Sequence, residues 1–241
     1  MERNLVNSTE DSLSAAIMPS TRTLAPSLVA VALLLPAASS QLAPSQRWVN
    51  FGRNADELVI SWTSSTTTDL CGWRILDASG NGPDWTWAAK PELATYSTPP
   101  VNALPAYESD IIHRTYLSGL PAGSRLQYVV AVKQGDEATY TPPATVWTHP
   151  GVGPDVSTTL LVMADVEHRP SVLDALTDPL FNRSDRANGG GIILGDFAYA
   201  NGDQSKWDAW QEFMEPLSSK TPILQVRESR LPTQPASLSQ S

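Results

Sequence analysis

Residues 45–150 show the alternation of a half-buried β-sheet. In ELVISWTSS the side chains of Leu58, Ile60 and Trp62 fall on one face, and the residues between them fall on the other. The segments GWRILDASGNGP, DIIHRTYLSGL, RLQYVVAVKQG and ATVWTHP repeat such short runs, with turn residues between them. Short strands with regular turn signals and no amphipathic helix predict a small β-sandwich.

After the Pro- and Gly-rich linker at 150–157, the pattern changes to continuous apolar runs. TTLLVMAD, GGIILGD and TPILQV are typical of strands that are buried on both faces of a parallel sheet. RPSVLDALTDPLF predicts a helix between the first two runs, and QSKWDAWQEFMEPL predicts a helix with one apolar side before the third. The order strand, helix, strand, helix, strand predicts an α/β layer over 157–226. Three strands and two helices are only part of a layered fold, so we expect these strands to lack half of their cover.

The two ends of the chain differ from the rest. Residues 24–40 form an apolar run followed by small residues, which predicts a secretory signal peptide and is too short to span a bilayer comfortably. Acidic residues precede Met18, so 1–17 are interpreted as an upstream extension, and starts at Met1 and Met18 both stay open. An uncleaved anchor or a disordered tail is the alternative interpretation.

These patterns predict a division of the chain into four parts. A polar segment rich in Pro and Ser at the C-terminus predicts a disordered tail. The parts are an extension plus signal peptide at 1–40, a sandwich at 45–150, a partial α/β domain at 157–226 and the tail at 227–241. A signal peptide implies secretion, or delivery to a vacuolar or lysosomal compartment. The sequon Asn182-Arg183-Ser184 then predicts a glycan on Asn182.

Net charge narrows the possible binding partners, and the cysteine content excludes an intramolecular disulfide. The chain of 241 residues has a formal net charge of −9 and no cluster of Lys and Arg, which argues against a nucleic-acid surface. After signal cleavage we expect no membrane contact. The single cysteine, Cys71, excludes an intramolecular disulfide, and its apolar neighbours favour a buried hydrophobe over a reactive thiol.

Two aspartates end the first two apolar runs of the α/β part. Asp165 and Asp196 are about one β-α-β unit apart, and ligands bind beyond the carboxyl ends of parallel strands. Because neighbouring strands lie roughly 4.8 Å apart, the two carboxylates can converge on ions about 3.5–4 Å apart. Tyr199 could bring its phenolate oxygen to the same place. The alternatives are that each Asp caps the next turn and that Tyr199 belongs to the core.

The segment GDFAYANGDQSKWDAWQEFMEPLSSKTPIL resembles the purple acid phosphatases, which are metallophosphoesterases with a calcineurin-like catalytic domain. The shared features are Gly-Asp-x-x-Tyr, a Tyr-Ala-x-Gly loop, a helix that begins at Trp-Asp, and Glu-Pro-Leu before the next strand. IIHRTYLSGLPAGSRLQYVV is similar to the end of the family's N-terminal fibronectin-like domain. The resemblance implies a fibronectin-III-like sandwich, followed by the first β-α-β-α-β part of the metallophosphoesterase fold.

The resemblance also implies a metal site and an activity. Asp196 would bridge two metals, and Asp165 and Tyr199 would bind the ferric ion, which would be paired with ferrous iron, zinc or manganese. The expected reaction is hydrolysis of a phosphate monoester by a metal-bound hydroxide. The partners would be small phosphate esters, and neither the particular substrate nor the oligomeric state follows from the sequence.

The sequence departs from the family pattern in two places. The first motif is usually Asp-x-Gly, whereas Glu167 follows Val166 here, and RESRLPTQ stands where Gly-Asn-His-Glu would follow the third strand. His168 is a possible substitute ligand. We therefore expect the ligand set to be incomplete, with no catalytic residue identified and no catalysis by the chain as written. The alternative is a non-catalytic secreted β-sandwich with a vestigial half-domain.

Overall fold

The computed structural model describes residues 43–100, 104–134, 137–170, 174 and 188–226. The signal-peptide run, most of the helix predicted over 169–181, Asn182 and the tail at 227–241 lie outside the described residues. The interpretations of those segments therefore stay predictions. The described residues fall within one compact unit, Ser39–Ser241. None of the helices in these ranges is long and apolar enough to cross a membrane.

The part over 45–150 is built from short strands, as the alternating pattern predicts. In chain order, strands β1–β11 are Ser45–Phe51, Leu58–Ser64, Leu70–Leu76, Thr86–Trp87, Glu92–Ala94, Ser97–Thr98, Tyr107–Glu108, Ile111–Leu117, Arg125–Gln134, Glu137–Tyr140 and Ala144–Trp147. One antiparallel sheet has the order β1-β2-β8-β5. The other has the order β10-β9-β3-β4, with β11 also paired to β9.

The inward faces of the two sheets share one apolar core. The alternation of β2 is confirmed, because Leu58, Ile60 and Trp62 are all buried in this cluster. Cys71 is buried there as a free thiol, and burial raises its pKa to about 12. The interpretation of Cys71 as a buried hydrophobe is therefore confirmed.

A buried polar group interrupts this core at His113 on β8. Its ring stacks on Trp62 at a centroid distance of 5.0 Å, and its Nε2 lies 3.0 Å from the Ser64 hydroxyl. The Asp69 carboxylate accepts the Trp62 indole N–H at 3.0 Å and lies 3.8 Å from the same imidazole nitrogen. Burial lowers the pKa of His113 below its ordinary value of 6.5, although the charge of Asp69 opposes this shift.

The lowered pKa of His113 predicts a loss of stability on acidification. Below pH 6.5 an unfolded His113 binds a proton that the folded protein does not accept, so the free energy of unfolding falls as the pH decreases from 6.5 towards the folded-state pKa. Few other side chains titrate in this window. Urea unfolding between pH 7.5 and 5 should show this fall in the wild type and a flatter profile in His113→Phe, which keeps an aromatic ring on Trp62.

His149 provides the control for this measurement. Its ring meets the edge of Phe51 at 5.2 Å and is only half-buried. His149→Asn leaves His113 and its contacts in place, so the fall assigned to His113 should remain in this variant. Equal slopes for His113→Phe and the wild type between pH 7.5 and 5 would contradict the assignment to His113.

The part over 157–226 contains a parallel sheet and one described long helix. Strands β12, β13 and β14 are Thr159–Met163, Asn188–Leu194 and Ile223–Val226, and they pair in the order β12-β13-β14. Helix α1 spans Ser205–Ser218 between β13 and β14. The parallel pairing confirms the predicted sheet.

Helix α1 covers one face of this sheet with the apolar side that its sequence predicts. Its buried residues are Trp210, Met214, Leu217 and Ser218, and Trp207 and Phe213 are partly buried. The backbone N–H and the hydroxyl of Ser205 both donate to the Asp203 carboxylate, at 3.1 and 2.6 Å. Asp203 therefore satisfies polar groups at the start of the helix.

Only one face of these strands is covered, which agrees with the expectation that they lack half of their cover. The face towards α1 is covered, but five large side chains of the opposite face are 42–60% exposed: Leu160, Val162, Leu194, Leu224 and Val226. An apolar run alone does not show whether a strand is covered on one face or on both. It records the apolar character of both faces and carries no information about what covers them. No described element covers the second face.

The two parts of the described chain meet along β1 and α1. The Trp48 indole N–H donates to the Ile223 carbonyl at 3.2 Å, and the Ser218 hydroxyl donates to the Arg47 carbonyl at 2.8 Å. Arg47 Nε also lies 2.6 Å from Glu215 Oε1, with both side chains largely buried. Extensive contacts therefore cross the predicted boundary at 150–157.

Gly190 in β13 lies close to the backbone of Pro222 and to the ring of Phe51 from the sandwich. Its φ is 91°, and a Cβ placed on it would lie 2.6 Å from the Pro222 carbonyl oxygen and 3.0 Å from the Phe51 ring. We expect Gly190→Ala to lower the free energy of unfolding by about 3 kcal/mol, from left-handed backbone strain together with steric overlap.

A variant at Gly119 separates the cost of backbone strain from the cost of steric overlap. The φ of Gly119 is 70°, but nothing lies within 4 Å of a Cβ placed there. Gly119→Ala should therefore show the strain alone, about 1 kcal/mol. Denaturant unfolding of both variants is the measurement, and equal losses would mean that the crowding at Gly190 relaxes without cost.

Candidate functional site

The two loops that follow β12 and β13 bring the predicted ligands together. Asp165 lies two residues after the end of β12, and Asp196 lies two residues after the end of β13. The Tyr199 hydroxyl donates a hydrogen bond to Asp165 Oδ1 at 2.5 Å. This contact spans 34 residues of sequence, so side chains from two strand ends meet at the carboxyl edge of the sheet.

The site lies open to solvent. Asp165 and Asp196 are exposed, and Tyr199 is 44% exposed. The hydrogen bond to Asp165 raises the pKa of Tyr199 to about 12, with partial desolvation and the charges of Asp165, Asp196 and Glu167 adding to the shift.

The backbone at all three residues is left-handed. The φ angles of Asp165, Asp196 and Tyr199 are 54°, 51° and 47°, and that of Asn201 is 50°. Side chains other than glycine rarely take this conformation, and such residues concentrate at functional sites.

Three residues next to these side chains are buried beneath the site. Val166, Ala198 and Ala200 belong to the apolar cluster under α1. The Trp210 indole N–H donates to the Val166 carbonyl at 2.6 Å. The sequence predicts Trp210 as a core residue, which its burial confirms, but hydrophobic periodicity gives no signal for the acceptor of its N–H.

His168 and Glu167 take other contacts in the structure. The ring of His168 lies 5.4 Å from the ring of Phe213, and Glu167 forms an exposed ion pair with Arg169 at 3.3 Å. His113 and His149 lie in the sandwich, where each ring packs against another aromatic ring. These contacts give no support to His168 as a substitute ligand.

Asp165, Asp196 and Tyr199 offer oxygen atoms, and the structure brings two of these side chains, Asp165 and Tyr199, into contact. Carboxylates and a phenolate are oxygen ligands of the kind that hard ions prefer. Within the described ranges no group of three or more His, Cys, Asp or Glu side chains could hold a metal ion. The described donors therefore do not fit a centre of two ions, which needs more ligands for each ion.

Comparison with known proteins identifies the fold. No protein-family model matches the chain. Purple acid phosphatase 5 of Arabidopsis thaliana is 28% identical to it over 190 residues, which is 75% of this chain and 43% of the relative. The chain thus spans less than half the length of this curated relative.

The solved structures agree with this result. A purple acid phosphatase from yellow lupin (Lupinus luteus) seeds, PPD1, superposes with a TM-score of 0.63 at 17% identity, over 77% of this chain and 35% of its own. The twitchin kinase region of C. elegans matches 44% of the chain with a TM-score of 0.29, below the level of a shared fold. The chain therefore has a purple acid phosphatase-like fold, as the sequence resemblance predicts.

The left-handed backbone at Asp196 leads to a prediction about the stability of two variants. At a φ of 51°, a glycine avoids the strain that an alanine carries, so Asp196→Gly should be more stable than Asp196→Ala by about 1 kcal/mol. Both variants remove the carboxylate, so the difference between them reports the backbone alone. Chemical denaturation is the measurement, and an alanine variant equal to or more stable than the glycine variant would exclude strain at this position.

Proposed function

We propose that this site belongs to a metal-dependent acid phosphatase of the purple acid phosphatase kind, acting on phosphate monoesters. Asp165, Asp196 and Tyr199 would supply part of its metal shell. The observation that carries the proposal is the 2.5 Å contact between Tyr199 Oη and Asp165 Oδ1, because it joins two strand ends through metal-ligand side chains. The similarity to purple acid phosphatase 5 over 75% of the chain supports the same class.

We further propose that these residues hold one ion weakly and do not complete a catalytic centre. Three oxygen donors satisfy less than one full coordination shell for a hard cation, which takes about six ligands. With one carboxylate bridging, the second ion would keep only Asp196 among the described donors. Water would have to fill the remaining positions, and water holds an ion far less firmly than a set of protein ligands.

A second candidate function is a non-catalytic secreted β-sandwich protein that carries a partial α/β layer. It is favoured by the lack of a group of three or more metal-binding His, Cys, Asp or Glu side chains in the described ranges. The two candidates differ in one property. The first requires that the strand-end residues bind a metal ion, and the second requires no ion at all.

Metal analysis and a phosphatase assay on the same preparation distinguish the candidates. The purified chain is dialysed, its iron, zinc and manganese are measured, and hydrolysis of a chromogenic phosphate ester is followed at acid pH. We expect at most one ion per chain, removed by Asp196→Asn, and no hydrolysis above the level of that variant. Asp155→Asn, at an exposed aspartate of the linker, is the matched control and should retain the wild-type metal content.

Two results would contradict the proposal in different ways. Two firmly bound ions per chain, or turnover that Asp196→Asn abolishes, would show that ligands beyond the three named residues complete the centre. Equal metal contents near zero in the wild type and in Asp196→Asn, even after addition of excess metal, would favour the non-catalytic candidate.

A further inference from the structure

One buried side chain contacts both of the loops that carry the candidate ligands. Trp210 lies in the middle of α1 and is fully buried. Its indole N–H donates to the carbonyl of Val166, the residue directly after Asp165, at 2.6 Å. Val166 is itself 1% exposed, so solvent cannot replace this hydrogen bond if it is lost.

The same indole ring also contacts the loop after β13. The ring of Phe197 meets it edge to face at a centroid distance of 5.5 Å. Phe197 directly follows Asp196 and lies two residues before Tyr199. The side chain of Trp210 thus touches the neighbour of each carboxylate ligand, one through a hydrogen bond and the other through an aromatic contact.

Trp48 of the sandwich holds the indole ring of Trp210 from another side. The two rings lie 5.7 Å apart at an interplanar angle of 32°. Trp48 is anchored in turn by its N–H, which donates to the Ile223 carbonyl of β14 at 3.2 Å. Because rings packed this closely in a core have little freedom to shift, the position of Trp210 is fixed from both parts of the described chain.

We propose that Trp210 is a positioning residue that sets the separation between Asp165 and Tyr199. Both residues have left-handed backbones, and such conformations persist only where the surrounding structure enforces them. The hydrogen bond from the Trp210 indole N–H to the Val166 carbonyl restrains the Asp165 loop. The contact of the same ring with Phe197 restrains the Tyr199 loop. Only the cation-binding part of this inference rests on the proposed function.

The decisive experiment replaces Trp210 by phenylalanine, which keeps an aromatic ring and removes the N–H donor. The readout is the ¹³Cζ signal of Tyr199 in metal-free protein, assigned by its loss in Tyr199→Phe. Asp165→Asn supplies the reference position for a phenol without its carboxylate partner. Trp210→Phe should move the wild-type signal towards that reference.

Trp207→Phe is the matched control on the same helix. Trp207 contacts the rings of both Phe197 and Trp210, at 6.1 and 6.2 Å, so its replacement also removes an indole from the cluster. Its Tyr199 signal should stay at the wild-type position. A folded Trp210→Phe protein with the wild-type signal would overturn the proposal and leave Trp210 as a core residue only.

A second variant covers the case in which Trp210→Phe fails to fold. Phe197→Leu removes the aromatic contact from the loop side, at a residue that is only half-buried. It should shift the Tyr199 signal in the same direction, and an unchanged signal would count against the proposal.

Binding of Mn²⁺ alone, measured by calorimetry, connects the inference to the proposed function. Loss of a group that orients a metal ligand costs about ten-fold or more in metal affinity. The dissociation constant for Mn²⁺ should therefore rise about ten-fold in Trp210→Phe and stay unchanged in Trp207→Phe. If the wild type binds no Mn²⁺, the proposed function fails, and the carbon signal still decides whether Trp210 positions Tyr199 against Asp165.

Discussion

The packing of Trp48 against Trp210 is the contact on which the described structure depends. It joins β1 of the sandwich to the middle of α1 in a buried cluster. Since α1 lies between β13 and β14 in the chain and covers their inner face, a shift of Trp210 would move the edge of the sheet where Asp165 and Tyr199 meet. The sandwich thus provides a packed support for the exposed loops that carry the candidate ligands.

Polar contacts around this cluster fix the orientation of α1 on the sandwich. The Tyr128 hydroxyl donates to the Ser219 carbonyl at 2.8 Å just after the helix, and the Tyr107 hydroxyl donates to the Asp208 carboxylate at 2.8 Å near its start. Each end of α1 therefore has its own hydrogen bond to the sandwich. Truncation of one partner of a buried bond leaves the other unsatisfied, at a cost of about 1–3 kcal/mol.

Periodicity predicted the strands, helix α1 and the strand-end position of Asp165 and Asp196, because each depends on local alternation and chain order. Apolar residues such as Val162 look the same whether or not a second layer packs on them, so the uncovered face of β12–β14 was expected from the small number of elements in this part and not from periodicity. Periodicity also missed the hydrogen bond between Tyr199 and Asp165 and the one from Trp210 to Val166. Both hydrogen bonds join residues that are distant in sequence. The acceptor of the Trp210 bond is also a main-chain carbonyl, and side-chain patterns do not record such acceptors.

Native-state hydrogen exchange in Trp48→Leu tests the central claim most directly, because Trp48 is remote in sequence from both ligand loops. The reporters for the two loops are the amides of Glu167 and Asp203, which donate to the carbonyls of Asp165 and Ala200 at 3.0 and 2.9 Å. The reporter for the sandwich is the Thr148 amide, which donates to the Ser124 carbonyl at 2.9 Å. The account predicts that the two loop amides exchange about ten-fold faster, which corresponds to about 1.4 kcal/mol, while Thr148 changes little. Unchanged exchange at Glu167 and Asp203 would show that the loops hold their conformation without the aromatic contact.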